Sequence, residues 1–285
     1  MDLLPSHSVP ALLAAVPEFG LTAWLAFTGL LALRVAATFA MTPVFYAVPL
    51  PASVRMLLIL GLSVALASGL SLPTGIWGGW ESFVFAAIAE LVLGATLGLG
   101  ILLAFGAFAV AGQLLDIQLG FGIAQIIDPV TARPVPILTT AFQYLAVLVF
   151  FLVNGHHALL RGIGYSVERF PVGAPWSLAH AAEPLLKQGT GLFSLGFALA
   201  APVVFCILLV EFVLGVVGRN LPQMNMFTMG IPIKIVVGLI ALSLWFSGIG
   251  GVMTRVYATI ATTWDAIFVA ANTPPAVSPR REQIR

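Results

Sequence analysis

The sequence predicts an all-α, polytopic membrane-type protein, and three observations lead there. Of 285 residues, 60% are hydrophobic and only 8% charged, with a mean hydropathy of +1.07, whereas a soluble domain carries about a quarter charged residues. The apolar residues gather into about six stretches near the ~20 residues a helix needs to cross the hydrocarbon core. These stretches run apolar on every side, unlike the alternating ~10-residue strands of a membrane β-barrel. The formal charge of +1 argues against a nucleic-acid partner, which would need a basic face or stripe.

The opening "MDLLPSHSVPALLAAVPEFG" lacks a basic start and is broken by Pro5, Pro10 and Pro17, so it does not read as a cleaved signal peptide. A first helix is expected from Leu21 to about Thr42, stopped by Pro43, Pro49 and Pro51. A second runs from about Val54 to Leu70, and a third from about Glu81 to Val110. A fourth spans about Pro136 to Val153 and ends at "NGHH", followed by an amphipathic or partial piece, "ALLRGIGYSVERF". Residues 171–190 form the most polar connection. The fifth helix is expected from Gly191 to about Gly218 and the sixth from about Ile235 to Ala258. Residues 1–270 thus read as one domain, and the Pro-rich, basic residues 271–285 as a disordered tail.

Between the third and fourth helices lies "AGQLLDIQLGFGIAQIIDP", residues 111–129. Gly112, Gly120 and Gly122 suggest that no regular helix persists there, yet the stretch is too apolar for an ordinary solvent loop. Irregular backbone at membrane depth survives only where protein encloses it or it lines a cavity. The expectation is a loop folded into a vestibule, with an interfacial hairpin as the plainer alternative.

No catalytic foothold appears. His156 and His157 are adjacent and so point about 100° apart on a helix, which prevents shared chelation. Neither a zinc-protease pattern nor a nucleophile elbow nor a phosphate loop is present. Cys206, the single cysteine, reads as a buried small hydrophobe and can form no internal disulfide. Cofactors and metals are therefore not expected. Arg34, Glu90 and Glu211 each fall within an apolar stretch, where one charge costs ~3 kcal/mol or more. They belong to an ion or substrate pathway, as in a proton-coupled transporter, or to structural ion pairs between helices. Gly94 and Gly98, in small-xxx-small register, speak for close helix packing.

Four stretches in order resemble the FliR/SctT family of type III secretion export-gate proteins. They are "LRVAATFAMTPVF" with "PLPASVRMLL"; "AGQLLDIQLGFGIAQIIDP"; "FFLVNGHHALLRGIGYSVERFPVG"; and "LALAAPVVFCILLVEFVLGVVGRNLPQMNMFTMGIPIKIVVGL". The Asn-Gly-His and Pro-Gln-x-Asn-x-Phe features are similar to the flagellar branch, whereas Asp116 resembles the virulence branch. The resemblance implies a non-enzymatic, pore-forming subunit at the bacterial inner membrane, within the basal body. It also implies assembly with FliP-like, FliQ-like and FlhB-like subunits and passage of unfolded export substrates. Carried onto this chain, it makes Gly112, Gln113, Asp116, Gln118, Gly120, Phe121, Gly122, Asp128 and Pro129 the channel plug, and Phe105 with Phe108 candidates for an apolar constriction. Arg34, Glu90, Glu211 and Lys234 become interface or buried polar contacts, as do the signature residues Arg219, Pro222, Gln223, Asn225 and Phe227.

Overall fold

Runs of Leu, Ala and Phe this long turn helical, and the helix persists even through Pro184, Pro202 and Pro232. In the computed structural model, which describes residues 18–47, 50–70, 79–121, 136–220 and 226–270, helix dominates and no strand occurs among the described residues. The helices are α1 (Glu18–Ala40), the short α2 (Val44–Ala47), α3 (Ala52–Ser68), α4 (Trp80–Leu119), α5 (Ile137–Leu152), α6 (Gly155–Arg169), α7 (Ala179–Asn220), α8 (Met226–Phe246) and α9 (Gly250–Ala270). The tail 271–285 lies outside the described residues.

Two units share the chain. One contains the described residues up to Gly98 together with Ile163–Ser177. Its α1 packs on α3, and Phe27, Leu30, Leu31, Ala67, Ala86, Val167 and Val172 form its core. The other contains Leu99–Gly162 and the described residues from Leu178 onward. There α7 packs against both α8 and α9, and α9 also meets α5. The buried face of α9 repeats at three- and four-residue intervals through Met253, Val256, Tyr257, Ile260, Trp264, Ile267 and Phe268, the pattern of an amphipathic helix.

Three expected boundaries are corrected. The third helix does not stop near Val110 but continues to Leu119, giving α4 40 residues. Its glycines are contact points, not breaks. A Cβ at Gly98 would stand 2.9 Å from the Thr38 carbonyl oxygen, and one at Gly106 would meet the Leu192 side chain. The polar connection is also shorter than expected, because α7 begins at Ala179 and absorbs "AHAAEPLLKQGT" into a helix of 42 residues. Finally, the sixth segment is two helices, since Ser247–Ile249 form a turn before the Gly250–Gly251 pair. Hydropathy alone missed the C-terminal half of α9, whose exposed Thr262 and Asp265 lower its apparent apolarity.

The "NGHH" motif is a corner. Asn154 adopts φ 56°, a left-handed conformation that asparagine tolerates better than most residues. Gly155 then lies directly beneath the Phe150 ring, where a side chain would collide. The chain bends by 70° between α5 and α6, and the His156 and His157 rings lie 4.3 Å apart between centroids, tilted by 50°, in the first turn of α6.

Candidate functional sites

In the first unit the two buried charges meet each other. Arg34 donates from Nε to Glu90 Oε2 at 2.5 Å and from Nη2 to Oε1 at 2.9 Å, a bidentate fork. Nη1 reaches Ser166 Oγ at 3.2 Å, and Nη2 also reaches the Phe170 carbonyl at 2.9 Å. The Gly173 amide donates to Glu90 Oε1 at 2.9 Å. Both residues are 1% exposed. One cluster thus joins α1, α4, the end of α6 and the turn after it. Beside it, Thr38 Oγ1 donates to the Arg34 and Gly94 carbonyls at 2.9 and 3.1 Å. Gly94 permits this approach, since a Cβ there would strike the Arg34 carbonyl and Ala37. Both carboxylate oxygens of Glu90 are thus engaged by partners within the first unit.

In the second unit the Glu211 carboxylate pairs with the Lys234 ammonium across α7 and α8. This pair is partly exposed and borders a groove of about 560 Å³, which Ile117, Gln118, Gly120, Leu214 and Ile231 also line. Arg219 is exposed in the last turn of α7. Pro222, Gln223 and Asn225 lie outside the described residues; Phe227 falls in the first turn of α8, and its side chain is likewise outside them.

The expected plug divides at Gly120. Gly112, Gln113, Asp116 and Gln118 are helical residues of α4, not a loop. Gly120, at φ 84°, ends the helix in the left-handed conformation that glycine adopts without a Cβ penalty. Phe121 is half-buried, and Gly122, Asp128 and Pro129 lie outside the described residues. Before the helix ends, Asp116 is 3% exposed, and its carboxylate accepts from the Leu138 and Thr139 amides at 2.9 Å each and from Thr139 Oγ1 at 2.8 Å. Those amides occupy the first turn of α5, whose own N-cap position is Pro136 with no side-chain cap. One turn earlier, Gly112 leaves room for the Thr139 backbone; a Cβ would meet its Cα.

Phe105 and Phe108 are buried within this chain. They are 6% and 0% exposed, and both rings pack on Tyr257, at 5.7 and 5.6 Å between centroids. Phe150 closes the cluster, 5.7 Å from Phe105 and 5.8 Å from Tyr257. The Tyr257 hydroxyl donates to the Ala146 carbonyl at 2.5 Å, and burial pushes its pKa up, so it remains a neutral donor. This part of α4 turns the two rings toward α5 and α9. Sequence reasoning overlooked Gln188, whose Nε2 donates to the Gly100 carbonyl at 2.8 Å and to Thr259 Oγ1 at 3.3 Å. It also overlooked Gly162, over which the Trp264 ring lies so closely that no side chain would fit. Neither had a local signal, because the partners of both lie far along the chain.

Among the described residues, four helices, α1, α4, α7 and α8, contain stretches long and apolar enough to cross a membrane, and the bent α5–α6 pair makes a fifth if counted as one span. With the charges at 34, 90, 211 and 234 paired inside it, this is a polytopic, all-α protein of the membrane type. The family described as "Bacterial export proteins, family 1" matches residues 25–260, and the chain belongs to that family. It is 32% identical over 234 residues to the flagellar biosynthetic protein FliR of Bacillus subtilis (strain 168), a match covering 81% of this chain and 90% of that protein. Against the flagellar biosynthetic protein FliR of Escherichia coli (strain K12) it is 29% identical over 208 residues, 73% of this chain and 79% of that protein. It is also similar to the surface presentation of antigens protein SpaR of Shigella sonnei, 30% identical over 155 residues, which are 54% of this chain and 60% of that protein.

Proposed function

We propose that this chain is a non-enzymatic subunit of a type III protein export apparatus of the flagellar kind, in the bacterial inner membrane and within the basal body. The observation that carries this reading is the family match across residues 25–260, supported by relatives named for flagellar biosynthesis. The chain forms part of a pore wall with FliP-like and FliQ-like subunits, beside an FlhB-like one, and unfolded substrates pass through that pore. Closing the channel falls to the segment that leaves α4 at Gly120 and runs on through Gly122, Asp128 and Pro129. The helical residues from Gly112 to Leu119 form its stem.

The bidentate ion pair between Arg34 and Glu90, joined by the Gly173 amide, supports a structural role over the proton-coupled transporter alternative, because it engages both carboxylate oxygens inside the chain. The test is co-expression with the FliP-like and FliQ-like proteins of the same genome, followed by native mass spectrometry. A discrete complex holding this chain with several copies of each partner is expected. A lone monomer or homodimer, with both partners well expressed but absent, would overturn the assignment.

A further inference from the structure

We infer that Asp116 is a positioning residue, an N-terminal cap supplied to α5 from α4, which fixes the stem of the segment assigned above to channel closure. A helix starts with amide groups that have no partner inside the helix, and a side-chain oxygen normally supplied by the residue just before them fills that role. Here that residue is Pro136, whose ring offers no acceptor, and no side-chain cap is made locally. The carboxylate comes instead from a residue 22 positions earlier than the Leu138 amide it accepts.

Three observations make this more than a chance contact. Both oxygens of Asp116 are used, on two successive amides and one hydroxyl. Among the described residues no cation pairs with it, so its buried charge is balanced by the positive end of α5 and by Thr139. Gly112, one turn back on the same face of α4, lets the α5 backbone come near enough for those bonds to form. A second fastening follows at once: Leu119 is fully buried and lies over Gly238 of α8, where a Cβ would strike it. The α4 stem is therefore held on two sides immediately before Gly120. Asp116 belongs to the fixed frame, and the chain that departs from that frame does so after Leu119.

The functional consequence rests on the closure reading; the cap itself does not. Hydrogen–deuterium exchange on the full chain in its purified complex tests the cap. D116A should raise exchange at the Leu138 and Thr139 amides by about tenfold or more, with a smaller rise in D116N, which keeps one acceptor oxygen. Thr139→Val should change them little, because the two amide bonds survive. Protection in α7 and α9 should be unaltered. Unchanged exchange at 138 and 139, or an equal rise throughout the unit, would overturn the positioning role. Ion conductance of the same complexes in vesicles separates the two ideas. Leak in D116A together with the local exchange change supports both. A local exchange change without leak keeps the cap and overturns its part in holding the channel closed.

Discussion

Arg34 and Glu90 show how a charge is tolerated among apolar helices. A buried pair recovers its desolvation cost only when the geometry is good and the remaining valences are filled, and here Ser166, the Phe170 carbonyl and the Gly173 amide fill them. Removing one partner leaves the other buried and unpaired. Arg34→Ala or Glu90→Ala should therefore destabilise the first unit by about 3–5 kcal/mol, read as a lowered unfolding midpoint in detergent. Arg34→Met with Glu90→Met should lie closer to the parent than either single change does. Glu211→Gln, at the partly exposed pair with Lys234, should cost about 1 kcal/mol or less. An equal loss at all three sites would contradict the network described here.

At the scale of the element, length and glycine placement matter most. At about 1.5 Å per residue, α4 and α7 reach roughly 60 Å, twice the ~30 Å hydrocarbon core. Neither is a simple membrane crossing, and each must continue beyond the apolar layer or lie partly inside protein. Their glycines sort by neighbour, not by helix propensity. Gly162 of α6 sits under the Trp264 ring of α9, while Gly61 of α3 faces open space. Gly162→Ala should cost about 1–3 kcal/mol by overpacking, and Gly61→Ala should be neutral or stabilise by up to ~1 kcal/mol. Thermal unfolding of the two variants side by side checks the contrast, and similar midpoints would refute it. The Trp264 contact was not legible from the sequence, because Gly162 meets a residue about a hundred positions away. The helical character of the fourth segment and of "ALLRGIGYSVERF" was legible, since it depends only on composition within one stretch.

For the whole molecule, the burial of its apolar helices is uneven. The most apolar window of α4 is 61% buried within the chain, against 28% for α7 and 17% for α8. On α8, Val236, Leu239, Ile240 and Leu244 are all exposed. Such faces need lipid, detergent or other protein to cover them. If partner subunits do so, the unfolding temperature of this chain should rise in their presence and with their concentration, as binding to the folded state alone requires. A midpoint independent of the partners would assign those faces to lipid.

The sequence by itself determined the class of this protein. Apolar composition and segment length add up residue by residue, so all-α spans and several of their positions could be read without any knowledge of neighbours. Ordered stretches of sequence likewise pointed to the family. Only the tertiary structure decided what the interrupting residues do. Gly112 reads locally as a break, but Thr139 makes it a point of contact; Asp116 reads as a loop residue, but the first turn of α5 makes it a cap. Phe105 and Phe108 carry no sign of their neighbours in the sequence, but the fold packs both on Tyr257. The physical reason is the same in each case: a glycine, a carboxylate or an aromatic ring takes its role from whatever the fold packs against it, and those partners come from distant parts of the chain.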